Sequence, residues 1–266
     1  MRVAAAILLA AAVCLAGWPP GGRSGVADAL PPRYLSLGDS LAASMQPAPD
    51  GHDGPTSEGF SERVWGAQAA VSPHLTLVKL GRGGETASSM IKSPRPGPSQ
   101  LELAEQHLRT GTVPLVTIDI GANEVESCAR GSGFDQACVQ SGLASLRQSL
   151  PRIISHLRAA GGPQLKIIGG PTGRRLALAS VPVERAINAT LAEIYARDHV
   201  PVADVESSFE TQALDRYVGT RHGRVPLAVA RTCRWTWACS DRYDDHTNSL
   251  GYRVIARSVL ALLRSA

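Results

Sequence analysis

The chain has 266 residues, 44% of them apolar and 19% charged, with a formal net charge of +4. That is enough for one domain with a sizeable core. The positive charge lies on arginines scattered along the sequence, such as Arg147, Arg158, Arg174 and Arg253, with no basic run. This argues against a nucleic-acid partner, which calls for charge gathered on one face or segment.

Residues 1–29 predict an export segment. Met1-Arg2 precede an apolar stretch from Val3 to Gly17, and a Pro/Gly-rich stretch runs on to Pro32. The apolar stretch is shorter than the roughly 20 residues that span a bilayer, so cleavage is expected in place of a stable transmembrane anchor. Two cuts fit, after Ala16 or after Ala29. Cys14 follows Val13, where a lipoprotein site prefers a small residue, which disfavours lipidation. Location is thus expected to be secreted or envelope-associated, outside the cytoplasm, leaving residues 30–266 as a single domain. There Cys128, Cys138, Cys233 and Cys239 form an even set with neither CxxC spacing nor zinc-spaced histidines, the pattern of disulfides. Of three connectivities, the local pairs Cys128–Cys138 and Cys233–Cys239 are expected.

From Pro32 onward short apolar runs alternate with helical patterns, the rhythm of βαβ units and a parallel sheet. Strands are predicted at 34–37, 75–80, 115–120, 165–168 and 200–205. Helices are predicted at 59–70, 100–109, 140–160, 183–197 and 249–264. In the third, Leu143, Leu146, Leu150, Ile153, Ile154 and Leu157 fall at i, i+3, i+4 spacing, so one face packs on the sheet. Residues 206–243 show no clear period and read as a long ordered loop pinned by a disulfide. Trp235 and Trp237 either line a cleft there or pack beneath the loop.

Three clusters follow the first three strands directly: Gly38-Asp39-Ser40, Gly83-Gly84-Glu85-Thr86 and Gly121-Ala122-Asn123-Glu124. Ligands of open α/β sheets bind beyond the carboxyl ends of the strands, so these clusters should converge. Taken singly, each also fits a plain turn. A fourth cluster, Asp244-Asp245-His246, precedes the last helix. Asp241, Asp244 and Asp245 all lie within reach of the His246 Nδ1, and a carboxylate there would leave Nε2 free to take a proton.

These four blocks resemble those of the SGNH (GDSL-type) hydrolases. The likeness extends to the Lys79-Leu80-Gly81 run, the Trp235-Thr236-Trp237 flanked by cysteines, and Asp244-x-His246, and it covers the chain from about Tyr34 to Leu263. It implies a three-layer α/β/α sandwich around a mostly parallel five-stranded sheet. It also implies Ser40 as nucleophile, His246 as base, Asp244 as its acid, and an oxyanion hole from the amides of Ser40 and Gly84 with the Asn123 side chain. If the chain after Ser40 turned into a helix, its N-terminal amides would add to that hole. Two departures stand out: Glu124 where the pattern has Asp, and Arg82 where close relatives carry a cysteine. No Gly-x-Ser-x-Gly elbow, P-loop or dinucleotide fingerprint competes.

The expected activity is hydrolysis of short to medium acyl esters at neutral to mildly alkaline pH, where an imidazole is neutral. A polysaccharide O-deacetylase, a phospholipase, or a non-catalytic envelope- or carbohydrate-binding protein on the same scaffold are the alternatives. No cofactor or metal is called for, the partner is a small-molecule, lipid or glycan ester, and a monomer is expected.

Overall fold

The structure, a computed structural model, describes residues 30–48, 50–170, 180–211, 213–221 and 223–264. The predicted export segment, both cut sites and Cys14 lie outside them.

The chain opens with strand β1 (Arg33–Gly38) and a hairpin of β2 (Met45–Pro47) and β3 (Asp53–Pro55). Helix α1 (Phe60–Ala69), β4 (Thr76–Lys79), α2 (Ala87–Ile91), α3 (Gln100–Thr110) and β5 (Leu115–Asp119) come next. After α4 (Asn123–Glu126) come a small hairpin, β6 (Ala129–Arg130) and β7 (Gly133–Phe134), the long α5 (Gln136–Gly161), β8 (Lys166–Gly170) and α6 (Val181–Arg197). The last part holds α7 (Val205–Phe209), the hairpin β9 (Tyr217–Thr220) and β10 (Gly223–Pro226), α8 (Leu227–Trp235) and α9 (Ser249–Arg264).

A parallel sheet in the order β4-β1-β5-β8 forms the middle layer. Its strands are apolar on both faces because helices cover both. Leu35, Leu37, Val116 and Ile118 meet the buried stripes of α3, α5 and α6 on one side. On the other, Tyr34, Leu115 and Ile168 meet α1, α7 and α9 through Phe60, Val64, Phe209, Tyr252 and Ile255. All six apolar positions expected on the α5 stripe are buried. Each such side chain stabilises by roughly 1.5–3 kcal/mol relative to exposure.

Two expectations need correction. The fifth strand shrinks to one parallel bridge between Gly169 and Val202, leaving four strands in the sheet. The extended run ends at Ala203 because Asp204 caps α7, its carboxylate accepting from the Ser207 N–H at 2.9 Å. Residues 206–243 are likewise not a long loop, since they hold β9, β10 and α8. Helix α8 escapes a periodicity reading because its two buried positions are a small residue, Ala228, and a polar one, Thr232. Both disulfides have the local pairing expected, Cys128–Cys138 and Cys233–Cys239.

Close approach at the end of β1 sets the geometry of the turn that leaves this strand. Gly38 has φ +133°, and a Cβ there would sit 1.8 Å from the Asp119 carbonyl oxygen. Gly97, with φ +98°, has open space around it. Gly38→Ala is therefore expected to destabilise by more than about 3 kcal/mol, because a clash adds to backbone strain. Gly97→Ala should cost only about 1–2 kcal/mol, from strain alone. Urea unfolding of the two variants checks the difference.

Candidate active site

Ser40 lies in the turn that leaves β1. Asp39, itself buried, accepts from the Leu41 N–H through Oδ1 at 3.0 Å, and Ala43 N–H and Met45 N–H donate back to the carbonyls of Asp39 and Ser40. This is a tight hydrogen-bonded turn with Ser44 at φ +64°, not a helix, so no helix dipole points at Ser40. A polar brace holds it from behind. Lys79 Nζ donates to the Thr56 carbonyl at 2.8 Å and pairs with Glu62, whose other oxygen accepts from Ser44 Oγ at 2.7 Å. The lysine picked out in the sequence thus fixes the Ser40 turn and does not line the cavity described below.

The second block stands beside the first through Gln100, a residue the sequence offers no reason to single out. Its fully buried amide accepts from the Gly38 N–H at 2.9 Å and donates both to the Gly38 carbonyl at 2.8 Å and to Glu85 at 2.9 Å. Gly84, at φ +75°, faces the cavity. Arg82 donates to the Pro98 carbonyl at 3.1 Å, and Arg95 donates to the Gly83 carbonyl at 3.2 Å. Two guanidinium bonds therefore tie this loop down.

Asn123, the first residue of α4, donates through Nδ2 to the Glu85 carbonyl at 2.9 Å. An amide nitrogen has two N–H groups, so one remains for another acceptor. Among the described residues the backbone N–H groups of Ser40 and Gly84 donate to nothing. Glu124 is buried, and its Oε1 accepts from the Ala87 N–H at 2.6 Å, which locks the third block to the start of α2. Burial first, then the nearby charges of Asp39 and Glu85, push its carboxyl up to about 7.

The fourth block arrives from the C-terminal side. Trp237 N–H donates to the His246 carbonyl, Asn248 N–H donates to the Trp235 carbonyl, and the Cys233–Cys239 bond closes the same region. The tryptophans pack and do not line the cavity: Trp235 meets Phe209 edge-on at 5.0 Å, and Trp237 Nε1 donates to Gln46 Oε1 at 3.3 Å. Gly251 is needed where α9 passes the Trp235 carbonyl, which a Cβ would approach to 2.1 Å. Tyr243 adopts φ +51° and turns the chain back, so Asp244 reaches the imidazole from only two residues away. Its Oδ1 lies 2.9 Å from His246 Nδ1 and accepts from the His246 N–H at 2.7 Å. Asp241 is exposed in the turn, and Asp245 borders the cavity.

All four blocks border one cavity of about 250 Å³. Asp39, Ser40, Gly83, Gly84, Ala122 and His246 line it, so Ser40 and His246 share one cavity; Asn123 is not among the lining residues. Leu41, Val125, Phe134, Val183 and Ile187 supply apolar lining, and Glu126, Ser180 and Glu184 add polar lining.

The profile of the GDSL-like lipase/acylhydrolase family matches residues 36–254. The chain belongs to this family. It is therefore an ester hydrolase by family. The fold agrees with that of a lipolytic G-D-S-L protein from Veillonella parvula (TM-score 0.53, 18% identity, 88% of this chain and 100% of that one). It is also similar to an acetylxylan esterase from Geobacillus stearothermophilus (TM-score 0.57, 15% identity, 88% and 94%) and a lipase/acylhydrolase from Enterococcus faecalis (0.54, 14%, 88% and 96%). No curated protein matches the chain in sequence.

The buried Glu124 makes stability depend on pH. A carboxyl that titrates higher in the folded than in the unfolded chain supports the fold fully below about 4.5 and loses that support as pH rises through about 7. Glu124→Gln keeps the acceptor for Ala87 and removes the titration. Between pH 5 and pH 8 the wild type should lose about 2–3 kcal/mol more than this variant, measured by urea unfolding at both pH values.

Proposed function

We propose that this GDSL-family hydrolase cleaves carboxylic esters of short to medium acyl chains through an acyl-enzyme on Ser40. The observation that carries the reading is the shared cavity: Ser40 and His246, whose imidazole is held at Nδ1 by Asp244, line the same space. With Nδ1 so engaged, Nε2 is the nitrogen available to the serine.

Ser40 Oγ attacks the ester carbonyl carbon as His246 Nε2 takes its proton. The carbonyl oxygen becomes an oxyanion that accepts from the N–H groups of Ser40 and Gly84 and from the second N–H of Asn123. Collapse expels the alcohol, protonated by His246, and leaves the acyl group on Ser40. Water then attacks the acyl carbon, giving its proton to the same nitrogen, and the acid departs with Ser40 restored. Asp244 stabilises the imidazolium formed in each half and keeps its ring oriented.

The cavity lies just under the usual volume range of small-molecule sites, which favours short and medium acyl groups over long ones. Carboxylates in its lining, Glu126 and Glu184, favour a hydroxyl-bearing alcohol as a second reading, that of an acetyl-glycan esterase. The acetylxylan esterase among the structural neighbours is consistent with it. Two disulfides and the leader-like residues 1–29 support an exported protein. Among the described residues no helix is long and apolar enough to cross a membrane.

Rates on a ladder of p-nitrophenyl esters beside acetylated xylan and phosphatidylcholine test the substrate class. Acetate through octanoate should turn over best, and turnover of acetylated xylan alone would overturn the first reading. Ser40→Ala should abolish turnover. Asn123→Ala should lower kcat by about 10²–10³ with little change in KM.

A further inference from the structure

The hairpin of β2 and β3 is braced against the histidine loop at several points. Tyr252 Oη donates to the Met45 carbonyl at 2.8 Å, Trp237 Nε1 meets Gln46, and Arg242 Nη1 donates to the Ala48 carbonyl at 2.9 Å. Asp53, the first residue of β3, pairs with Pro47 across the hairpin and projects a carboxylate toward the same imidazole that Asp244 holds. Its Oδ2 lies 3.5 Å from His246 Nδ1, and one oxygen of each aspartate and the ring nitrogen lie within 4.8 Å of one another.

We propose that Asp53 is a second positioning residue for His246, a carboxylate supplied by the N-terminal half of the chain that shares with Asp244 the task of orienting and stabilising the imidazole. The proposal rests on the reading of His246 as base. The two acids approach Nδ1 from segments far apart in the sequence. Asp244 sits two residues from the histidine in its own turn, whereas Asp53 is fixed by strand pairing and by the hairpin's contacts with Tyr252 and Arg242. Losing one acid therefore leaves the other in place, and a cation forming on the ring faces two carboxylates. The side-chain exposures of His246, Asp244 and Asp53 are 17%, 18% and 33%, so the attraction acts partly shielded from water.

Asp53 itself shows the crowding that this arrangement implies. Burial first, and then repulsion from Asp244 and Asp245, raise its carboxyl above the ordinary aspartate range, while His246 draws it down. Within its own hairpin the titratable neighbours are Asp50 and His52, with the Asp50 carboxylate accepting from the His52 N–H. The hairpin position carries no family motif, so the sequence gives no cue to it.

A double-mutant cycle on the full chain tests the proposal, with kcat/KM for p-nitrophenyl acetate followed from pH 5 to 9. Asp53→Asn alone should lower the plateau by about threefold. Asp244→Asn alone should lower it by about 10²-fold, less than the ~10⁴ seen where a triad has one acid only. The double variant should fall well below the product of the two, by at least about tenfold. Removing a negative charge beside the ring disfavours its protonated form, so Asp53→Asn should also move the acid limb to lower pH by about half a unit. A merely structural aspartate would leave that limb in place.

Asp53→Ala, which removes the carboxylate without leaving an amide, should shift the limb in the same direction. Thermal unfolding midpoints near wild type show that the variants fold, and a limb that stays put in a folded variant overturns the proposal. Multiplicative effects in the cycle overturn it as well. His246→Ala separates the two levels: near-complete loss there with a multiplicative cycle defeats Asp53 alone, whereas full activity without His246 defeats the parent reading and the proposal with it.

Discussion

The site depends on one docking event, the seating of the C-terminal histidine loop on the hairpin that comes after the Ser40 turn. Ser40 and His246 are separated by most of the chain, and neither its turn nor its loop is held by regular secondary structure. What brings them to one cavity is a seam of contacts: the part-buried bonds of Tyr252 to Met45 and Trp237 to Gln46, an exposed bond from Arg242 to Ala48, and α9 against α1 through the core on that face of the sheet. Tyr252 is fully buried, so its bond to the Met45 carbonyl satisfies a polar group that would otherwise be costly to bury.

In and around the blocks after β1, β4 and β5 the chain buries four acids. Asp39, Glu85, Asp119 and Glu124 are each under a tenth exposed. Three of them have clear scaffolding tasks: Asp39 shapes the serine turn, Glu85 is clamped by Gln100 and Ser89, and Glu124 joins the asparagine block to α2. Glu124 is one methylene longer than the family's usual aspartate, and it spans to the Ala87 N–H. The electrostatic strain of this cluster falls on stability, since Glu124 is the member that burial drives toward neutrality.

Much of the fold is legible in the sequence because its signals are local. The α5 stripe and the buried runs of β1 and β5 are each written in a few consecutive residues. Strand β5 gives way one residue early, at Asp119, where Gly121 turns the chain at φ +126°. A fifth strand is suggested but not formed because apolar residues at 200–205 serve a bridge and then the start of a helix. Helix α8 stays hidden since it buries Ala and Thr, which leave little trace in a hydrophobic pattern. The four blocks of the site are legible from their place after strands, but their supports are not. Gln100 holds Gly38 from sixty-two residues away, and Asp53 reaches His246 from the opposite end of the domain. Such contacts are set by tertiary packing and leave no spacing to read. The choice among Asp241, Asp244 and Asp245 likewise needs the left-handed Tyr243, which shows how the chain folds back.

The most direct measurement is the mass of a fluorophosphonate adduct on the protein, mapped to a peptide. Rapid, stoichiometric phosphonylation of Ser40 is expected, slowed by orders of magnitude in His246→Ala. Labelling of another serine, or labelling of Ser40 at the same rate without the imidazole, would contradict a Ser40–His246 hydrolase.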